Sequence, residues 1–181
     1  LCSLSDSGRL HIKDLSEVTN FDQAEAALRE LYEEGNLAVF IDGLYNLEVD
    51  NNGGGIREVN IERANKLKLL VDTYRIPLIC TAELRKKTKE EGKDKPPTVS
   101  DLMETGKFGY NANVVWLLYP DSFAESKGAD QFLIKLDYAK NKLSHYKDYQ
   151  TLIFDKKKGI VREIHIGSVN SVQDNELLPI W

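Results

Sequence analysis

The residue whose type and position most directly suggest chemistry is Asp42, because it ends the apolar run Leu37–Ile41. A short unbroken run of this kind is typical of a buried strand in a parallel sheet. A carboxylate at the tip of such a strand is costly unless a partner compensates it, and Mg²⁺, reached directly or through water, is one such partner. In α/β proteins that hydrolyse nucleotides, this is the Walker B position. A structural role stays open, since aspartates after strands also cap helices and turns.

The elements that must position Asp42 alternate between helices and short apolar strands. The four elements of this part are a helix over 21–31, a strand over 37–41, a helix from about Asn60 to Tyr74 and a strand over 77–81. Thr19 and Asn20 offer capping side chains to the first helix, and Gly35 closes it. Helices that alternate with strands through short joins predict an α/β domain with a parallel sheet.

The rest of the pattern predicts further strands and one short helix. Apolar strands are expected over 114–118 and 132–136, and a closing antiparallel hairpin over 151–154 and 160–164. Trp116 is expected in the core. A capped helix is expected over Ser100–Gly106, and the alternation of Leu10–Asp14 fits a strand. The glycine-rich segment Glu48–Arg57 is expected to be a mobile loop.

The composition of the 181 residues is typical of a soluble globular protein, with 41% hydrophobic and 29% charged side chains. No stretch approaches the roughly 20 apolar residues of a membrane span, and the first residues lack a signal-peptide pattern. We therefore expect no membrane partner and a cytoplasmic location, which the two widely separated cysteines also fit. The net charge of -5 argues against a broadly basic surface, so any contact with nucleic acid must be local.

Five segments resemble motifs of the DnaB-type replicative DNA helicases, in the order and at the spacing of that family. Phe40–Leu47 resembles the Walker B segment IDYLQL, and Pro77–Arg85 resembles PVIALSQLNR. Pro97–Gly106 is similar to RPxxSDLRESG, Asn111–Asp121 is similar to QDADxVxFLYRD, and Ile134–Lys142 is similar to the strand that ends in AKQRNG. Each motif alone is weakly specific, but the ordered set makes a specific match.

The resemblance implies a role for four side chains. Asp42 would be the Walker B carboxylate, which holds the water shell of Mg²⁺ beside ATP. Glu83 matches the family's glutamine, which senses the γ-phosphate. Lys140 and Lys142 match a basic pair that reaches the ATP of the neighbouring subunit, where cations would offset charge on the transferring phosphoryl group.

The resemblance also implies the fold, the assembly and the partners. The fold is a RecA-like P-loop NTPase core over residues 1–167, with a mainly parallel central sheet flanked by helices and a C-terminal antiparallel hairpin. Residues 168–181 form a tail of unknown role. Contact with a neighbour's ATP implies a ring, which is usually hexameric in this family. Single-stranded DNA is the implied strand along which the protein translocates, and a primase or a helicase loader is a further implied partner.

A basic segment follows Glu83 and is the predicted contact with DNA. Residues 85–95 contain six basic and three acidic side chains, and the residues assigned to the DNA backbone are Arg85, Lys86, Lys87 and Lys89. A flexible basic segment neutralises phosphates without sequence preference. A plain solvated loop explains the same composition, so both interpretations stay open.

The chain differs from the family's motifs at several functional positions. Glu83 is an acid in place of glutamine, and Lys142 keeps the charge of an arginine finger but loses its planar fork. No G-x-x-x-x-G-K-[ST] motif occurs, and the family's P-loop lies upstream of the Walker B strand. We therefore expect a segment of a longer protein that does not hydrolyse ATP alone. The alternative is a non-hydrolysing RecA-like regulatory or scaffold protein that binds a helicase or a recombinase.

Overall fold

The computed structural model of the chain describes residues 7–32, 37–50, 53–85, 95–102, 106–120 and 130–164. Two compact units divide the chain. The first unit comprises Leu1–Lys87 and Ser100–Ala112, and the second comprises Thr88–Val99 and Asn113–Trp181. Within the described ranges, no helix is long and apolar enough to cross a membrane. Gly35 and the predicted tail 168–181 lie outside the described residues.

The first helix of the first unit begins where its capping residue predicts. Helix α1 runs Phe21–Tyr32, and Oδ1 of Asn20 accepts a hydrogen bond from the backbone N–H of Gln23 at 3.0 Å. The strand predicted over Leu10–Asp14 is wrong, since these described residues form none. Asp14 instead accepts a bond from the N–H of Ser16 at 2.7 Å, and such local bonds compete with strand pairing.

The second helix begins earlier than the predicted start near Asn60. Helix α2 runs Ile56–Tyr74, so the predicted loop Glu48–Arg57 is too long. Gly55 precedes the helix in an extended conformation, and the acidic Glu58 lies in the first turn, where it interacts favourably with the helix dipole. The core of this unit is built from the buried residues Phe21, Leu28, Leu44, Leu47, Ala64, Leu67, Leu70, Tyr74, Ile76 and Phe108.

Two short strands form the parallel pair that the apolar runs predict. Strand β1 (Val39–Ile41) pairs in parallel with strand β2 (Leu78–Cys80). Both strands have side chains packed against the core. The prediction of buried strands holds for one face of the pair alone, because Phe40 is 72% exposed and its register partner Ile79 is 41% exposed.

The segment predicted as a capped helix over Ser100–Gly106 is only partly described. A 3₁₀ turn covers Val99–Asp101, and residues 103–105 lie outside the described ranges. Helix α3 (Lys107–Asn111) follows and was not predicted, since five residues are too few to show helical periodicity. The side-chain amide of Asn111 donates to the carbonyl of Ala64 at 3.0 Å and so anchors α3 on α2.

The second unit is an antiparallel sheet of four strands in the order β3-β4-β5-β6. The strands are β3 (Val114–Pro120), β4 (Gln131–Asn141), β5 (Tyr149–Asp155) and β6 (Ile160–Glu163). Strand β4 is longer than predicted because it pairs with a strand on each side. The predicted hairpin of β5 and β6 is confirmed. Among the described strands, parallel pairing is limited to β1 and β2, so the antiparallel part extends well beyond the hairpin.

Trp116, which the sequence placed in the core, is 53% exposed. Its neighbours Val115 and Leu117 are buried, because successive residues of a strand face opposite sides of the sheet. Trp116 contacts Tyr138 edge to face at 6.1 Å, and Tyr138 contacts Tyr146 in the same way at 4.8 Å. An apolar run does not show which of its two faces is covered.

Candidate functional site

Asp42 lies at the end of β1, beside Thr81 at the end of β2. Ile41 is opposite Cys80 in the parallel register, so the two strands deliver their next residues to the same edge of the pair. The hydroxyl of Thr81 donates a hydrogen bond to Oδ1 of Asp42 at 2.6 Å, and it accepts one from the backbone N–H of Gly43 at 2.9 Å. The Asp42 carboxylate is exposed and held in place by a neighbouring strand.

The turn that follows Asp42 requires a glycine. Gly43 adopts a φ of +82°, in the left-handed region that L side chains rarely occupy. A Cβ at this position would also collide with the side-chain nitrogen of Asn46, which would have to move. The Asp-Gly pair therefore has a local structural reason in addition to any chemistry of the carboxylate.

Arg63 of α2 holds the backbone just after this turn. Its Nε donates to the carbonyl of Leu47 at 2.9 Å, and its Nη2 donates to the carbonyl of Tyr45 at 3.1 Å. Its Nη1 donates to Oδ1 of Asn60 at 2.8 Å, and Asn60 is only 1% exposed. Burial lowers the pKa of the guanidinium, and these three bonds compensate part of its lost hydration. Arg63 thus connects α2 to the segment that carries Asp42.

Glu83 follows Thr81 by two residues and is exposed. The next residues are tied to the Ser100 region, because Leu84 forms an isolated antiparallel bridge with Leu102. The guanidinium of Arg85 pairs with Oδ1 of Asp101 at 3.2 Å, and the backbone N–H of Arg85 donates to the carbonyl of Asp101 at 2.8 Å. The Asp101 side chain is 3% exposed, whereas that of Arg85 is 41% exposed.

Of the four residues predicted to contact DNA, the structure describes Arg85 alone. Lys86, Lys87 and Lys89 lie outside the described residues. The ion pair with Asp101 offsets part of the charge of Arg85. Arg85 therefore anchors the start of the basic segment and also presents a cation. The DNA contact stays a prediction for all four.

Lys140 and Lys142 lie in the second unit, at and just beyond the end of β4. The backbone N–H of Lys142 donates to the carbonyl of Asn113 at 2.9 Å, which fixes the chain as it leaves the sheet. Burial, together with the positive charge of Lys142, lowers the pKa of Lys140. The two ammonium groups therefore influence each other, as expected for a closely spaced basic pair.

A β-bulge in β4 decides which face of the sheet Lys140 occupies. Leu117 is opposite Asp137 and Val115 is opposite Lys140, so β4 has one more residue than β3 across this interval. Without the bulge, Lys140 would lie on the same face as Tyr138, because residues two apart in a strand share a face. With it, Lys140 is in register with the buried Val115.

Sequence reasoning missed two residues that organise these positions. Thr81 was treated only as the end of a strand, although a hydroxyl that follows one parallel strand can reach an acid that follows the next. Asn141 was treated as part of a motif, yet its side chain accepts bonds from the N–H groups of Leu143 and Ser144 at 3.1 and 3.2 Å. The turn-forming character of asparagine was the available signal.

The predicted residues divide between the two units. Asp42 directly follows β1 and Glu83 lies three residues beyond the end of β2, both in the first unit. Lys140 and Lys142 belong to the second unit. No group of three or more His, Cys, Asp or Glu side chains that could hold a metal occurs within the described ranges.

The sequence matches the family model described as the DnaB-like helicase C terminal domain over residues 3–172. The chain belongs to this family. It is 27% identical over 142 residues to the replicative DNA helicase DnaC of Bacillus subtilis (strain 168), a match that covers 77% of this chain and 31% of that protein. It is 31% identical over 116 residues to the replicative DNA helicase DnaB of Mycobacterium leprae (strain TN), covering 63% of this chain and 19% of that protein. This member of the family thus spans less than a third of the length of either relative.

Two solved structures confirm the RecA-like α/β fold of this DnaB-like chain. One is described as an ATPase domain and gives a TM-score of 0.70 at 18% identity, covering 81% of this chain and 52% of that one. A DnaB-like replicative helicase, whose structure concerns its interactions with primase, gives a TM-score of 0.75 at 20% identity. It covers 91% of this chain and 41% of that one. At these identities the likeness concerns the fold.

Proposed function

We propose that the protein carrying this chain is a replicative DNA helicase motor, in which ATP hydrolysis drives translocation along single-stranded DNA. The observation that carries the proposal is the exposed carboxylate of Asp42 at the tip of a parallel strand, hydrogen-bonded to Thr81 at 2.6 Å. Membership of the DnaB-like family supports the assignment of this carboxylate to the Walker B position. The proposal places the protein in the cytoplasm.

The described residues fit an Mg²⁺ site that depends on bound nucleotide. Mg²⁺ is usually held by one or two carboxylates together with phosphates and water, and not by a cage of protein ligands. Asp42 offers one such carboxylate, and the described ranges contain no metal cage. Bound with ATP, Mg²⁺ would neutralise charge on the phosphates. Asp42 would hold its water shell.

Glu83 and the two lysines complete the proposed ATP chemistry. An acid near a γ-phosphate is repelled, so Glu83 would move away from ATP or become protonated, and either response would report the state of the nucleotide. Lys140 and Lys142 would supply cations to the ATP of a neighbouring subunit, which requires a ring, hexameric by analogy with the family. Lysines provide charge without the bidentate fork of arginine, so they would stabilise the transferred phosphoryl group less specifically.

The contact with DNA is proposed for the basic segment that begins at Arg85. Pairing with Asp101 would hold the base of this segment while Lys86, Lys87 and Lys89 neutralise phosphates. A DnaB-like helicase of the same fold interacts with primase. A primase or a helicase loader is therefore a proposed partner here.

ATP hydrolysis by the full-length protein, with and without single-stranded DNA, tests the proposal. We expect DNA-stimulated turnover that Asp42→Ala abolishes and that the control Asp50→Ala, at another exposed aspartate, leaves within about twofold. Isolated residues 1–181 should show no turnover, because the chain contains no P-loop sequence. No turnover by a folded and assembled full-length protein would contradict the motor. It would favour a regulatory relative that binds a helicase or a recombinase, which the acidic Glu83 would suit.

A further inference from the structure

The hydroxyl group of Thr81 makes two hydrogen bonds that the end of a strand does not require. The hydroxyl donates its single proton to Oδ1 of Asp42 at 2.6 Å and accepts the backbone N–H of Gly43 at 2.9 Å. Two backbone bonds of 3.0 Å act in parallel, from Thr81 N–H to the carbonyl of Ile41 and from Leu44 N–H to the carbonyl of Thr81. Thr81 therefore contacts the chain before, at and after Asp42.

These four bonds separate into two kinds with different consequences. The two backbone bonds join Thr81 to the end of β1 and to the turn after Asp42, and both are available to any residue at position 81 except proline. The two side-chain bonds need a hydroxyl, because among side chains of this size only a hydroxyl donates to a carboxylate and accepts from an amide through one atom. The two side-chain bonds are therefore the ones that act on Asp42 itself.

The side-chain bonds restrict a carboxylate that is otherwise free to rotate. Asp42 is exposed at the tip of its strand, and an exposed aspartate samples several rotamers. A bond to a charged acceptor is among the stronger hydrogen bonds in proteins, and here it occupies one carboxylate oxygen. In the part of the chain that the structure describes, nothing bonds to the other oxygen, Oδ2. One oxygen is thus fixed and the other is available to a ligand from solution.

We propose that Thr81 is a positioning residue for Asp42, whose hydroxyl holds Oδ1 so that Oδ2 is presented to the hydrated metal ion of a bound nucleotide. This inference rests on the proposed function, since it assumes that Asp42 serves a metal. In the family motif PVIALSQLNR, the position aligned with Thr81 is leucine, which offers no hydroxyl. The hydroxyl that holds Oδ1 of Asp42 is therefore a property of this chain's own sequence.

The test measures metal affinity directly in the full-length protein. Mn²⁺ replaces Mg²⁺, and free Mn²⁺ is counted by electron paramagnetic resonance in the presence of a non-hydrolysable ATP analogue. Thr81→Val, which keeps the shape and the backbone bonds but loses the hydroxyl, should weaken Mn²⁺ binding about tenfold, the scale of one charge-assisted hydrogen bond. Thr81→Ser, which keeps the hydroxyl, should stay within about twofold of the wild type.

Control variants separate positioning from stability and from the proposed function. Thr73→Val makes the same chemical change at an exposed site on α2 and should leave Mn²⁺ affinity unchanged. Asp42→Ala should abolish the nucleotide-dependent Mn²⁺ site. If Asp42→Ala leaves that site intact, the proposed function fails. If Asp42→Ala removes the site while Thr81→Val binds Mn²⁺ like the wild type, the role of Thr81 alone is overturned. Should Thr81→Val fail to fold, Thr81→Ala decides by the same criterion.

Discussion

Arg63 provides the sharpest prediction about how the fold supports Asp42. Its guanidinium makes three hydrogen bonds, two to carbonyls of the segment after Asp42 and one to the buried Asn60. Arg63→Lys keeps the positive charge but replaces the fork with a single ammonium, which reaches at most one of these acceptors well. The substitution therefore isolates the geometry of the guanidinium from its charge.

The magnitude follows from the bonds that are lost. Two bonds to a charged donor are worth about 3 kcal/mol together. Because the guanidinium is only partly buried, water offsets part of this loss, and we expect the free energy of unfolding to fall by about 2 kcal/mol. For a chain of this size that corresponds to a drop in Tm of about 4–8 °C. Arg57→Lys on the same helix is the matched control, because Arg57 is exposed, and its effect should stay within about 0.5 kcal/mol.

Two measurements check this prediction. Urea unfolding followed by circular dichroism gives the change in stability, and hydrogen exchange read by mass spectrometry locates it. In Arg63→Lys, we expect faster exchange over residues 44–47, the segment whose carbonyls Arg63 holds. If Arg63→Lys unfolds like Arg57→Lys and exchange over 44–47 is unchanged, the three bonds do not stabilise this segment and the reasoning is wrong.

Two further predictions concern the second unit. The side-chain bond from Gln131, followed by the backbone N–H of Lys158, lowers the pKa of Asp155 below 3.8. The ionised Asp155 carboxylate therefore stabilises the fold fully above its pKa in the unfolded state. This stabilisation is lost as the pH falls through its pKa in the folded state. The stability difference between wild type and Asp155→Asn should accordingly shrink in unfolding curves taken below about pH 4, and a constant difference would contradict this. Inserting an alanine between Val115 and Trp116 should give the extra residue of β4 a partner, remove the bulge and place Lys140 on the face of Tyr138. We expect it to reduce ATP turnover of the full-length protein at least tenfold with little loss of fold, and unchanged turnover would show that the bulge does not orient Lys140.

The sequence was sufficient to predict the elements that local patterns specify. Apolar runs placed β1 and β2, and their parallel pairing follows from the helix between them. The cap at Asn20 set the start of α1. The position of Asp42 was also predictable, because an acid directly after an apolar run reaches the edge of the sheet whatever the rest of the chain does. The motifs around these elements indicated the DnaB-like family, which the match over residues 3–172 confirms.

The tertiary structure decided which side chains meet across neighbouring strands and which faces of the sheets are covered. The bond from Thr81 to Asp42 joins residues 39 apart in sequence, and only the pairing of Ile41 with Cys80 brings them together. The face of Lys140 depends on one extra residue in β4 relative to its partner strand. The exposure of Trp116 depends on what packs against the sheet. A sequence pattern specifies the direction of each side chain within its own strand, whereas the neighbouring strand determines what that side chain meets.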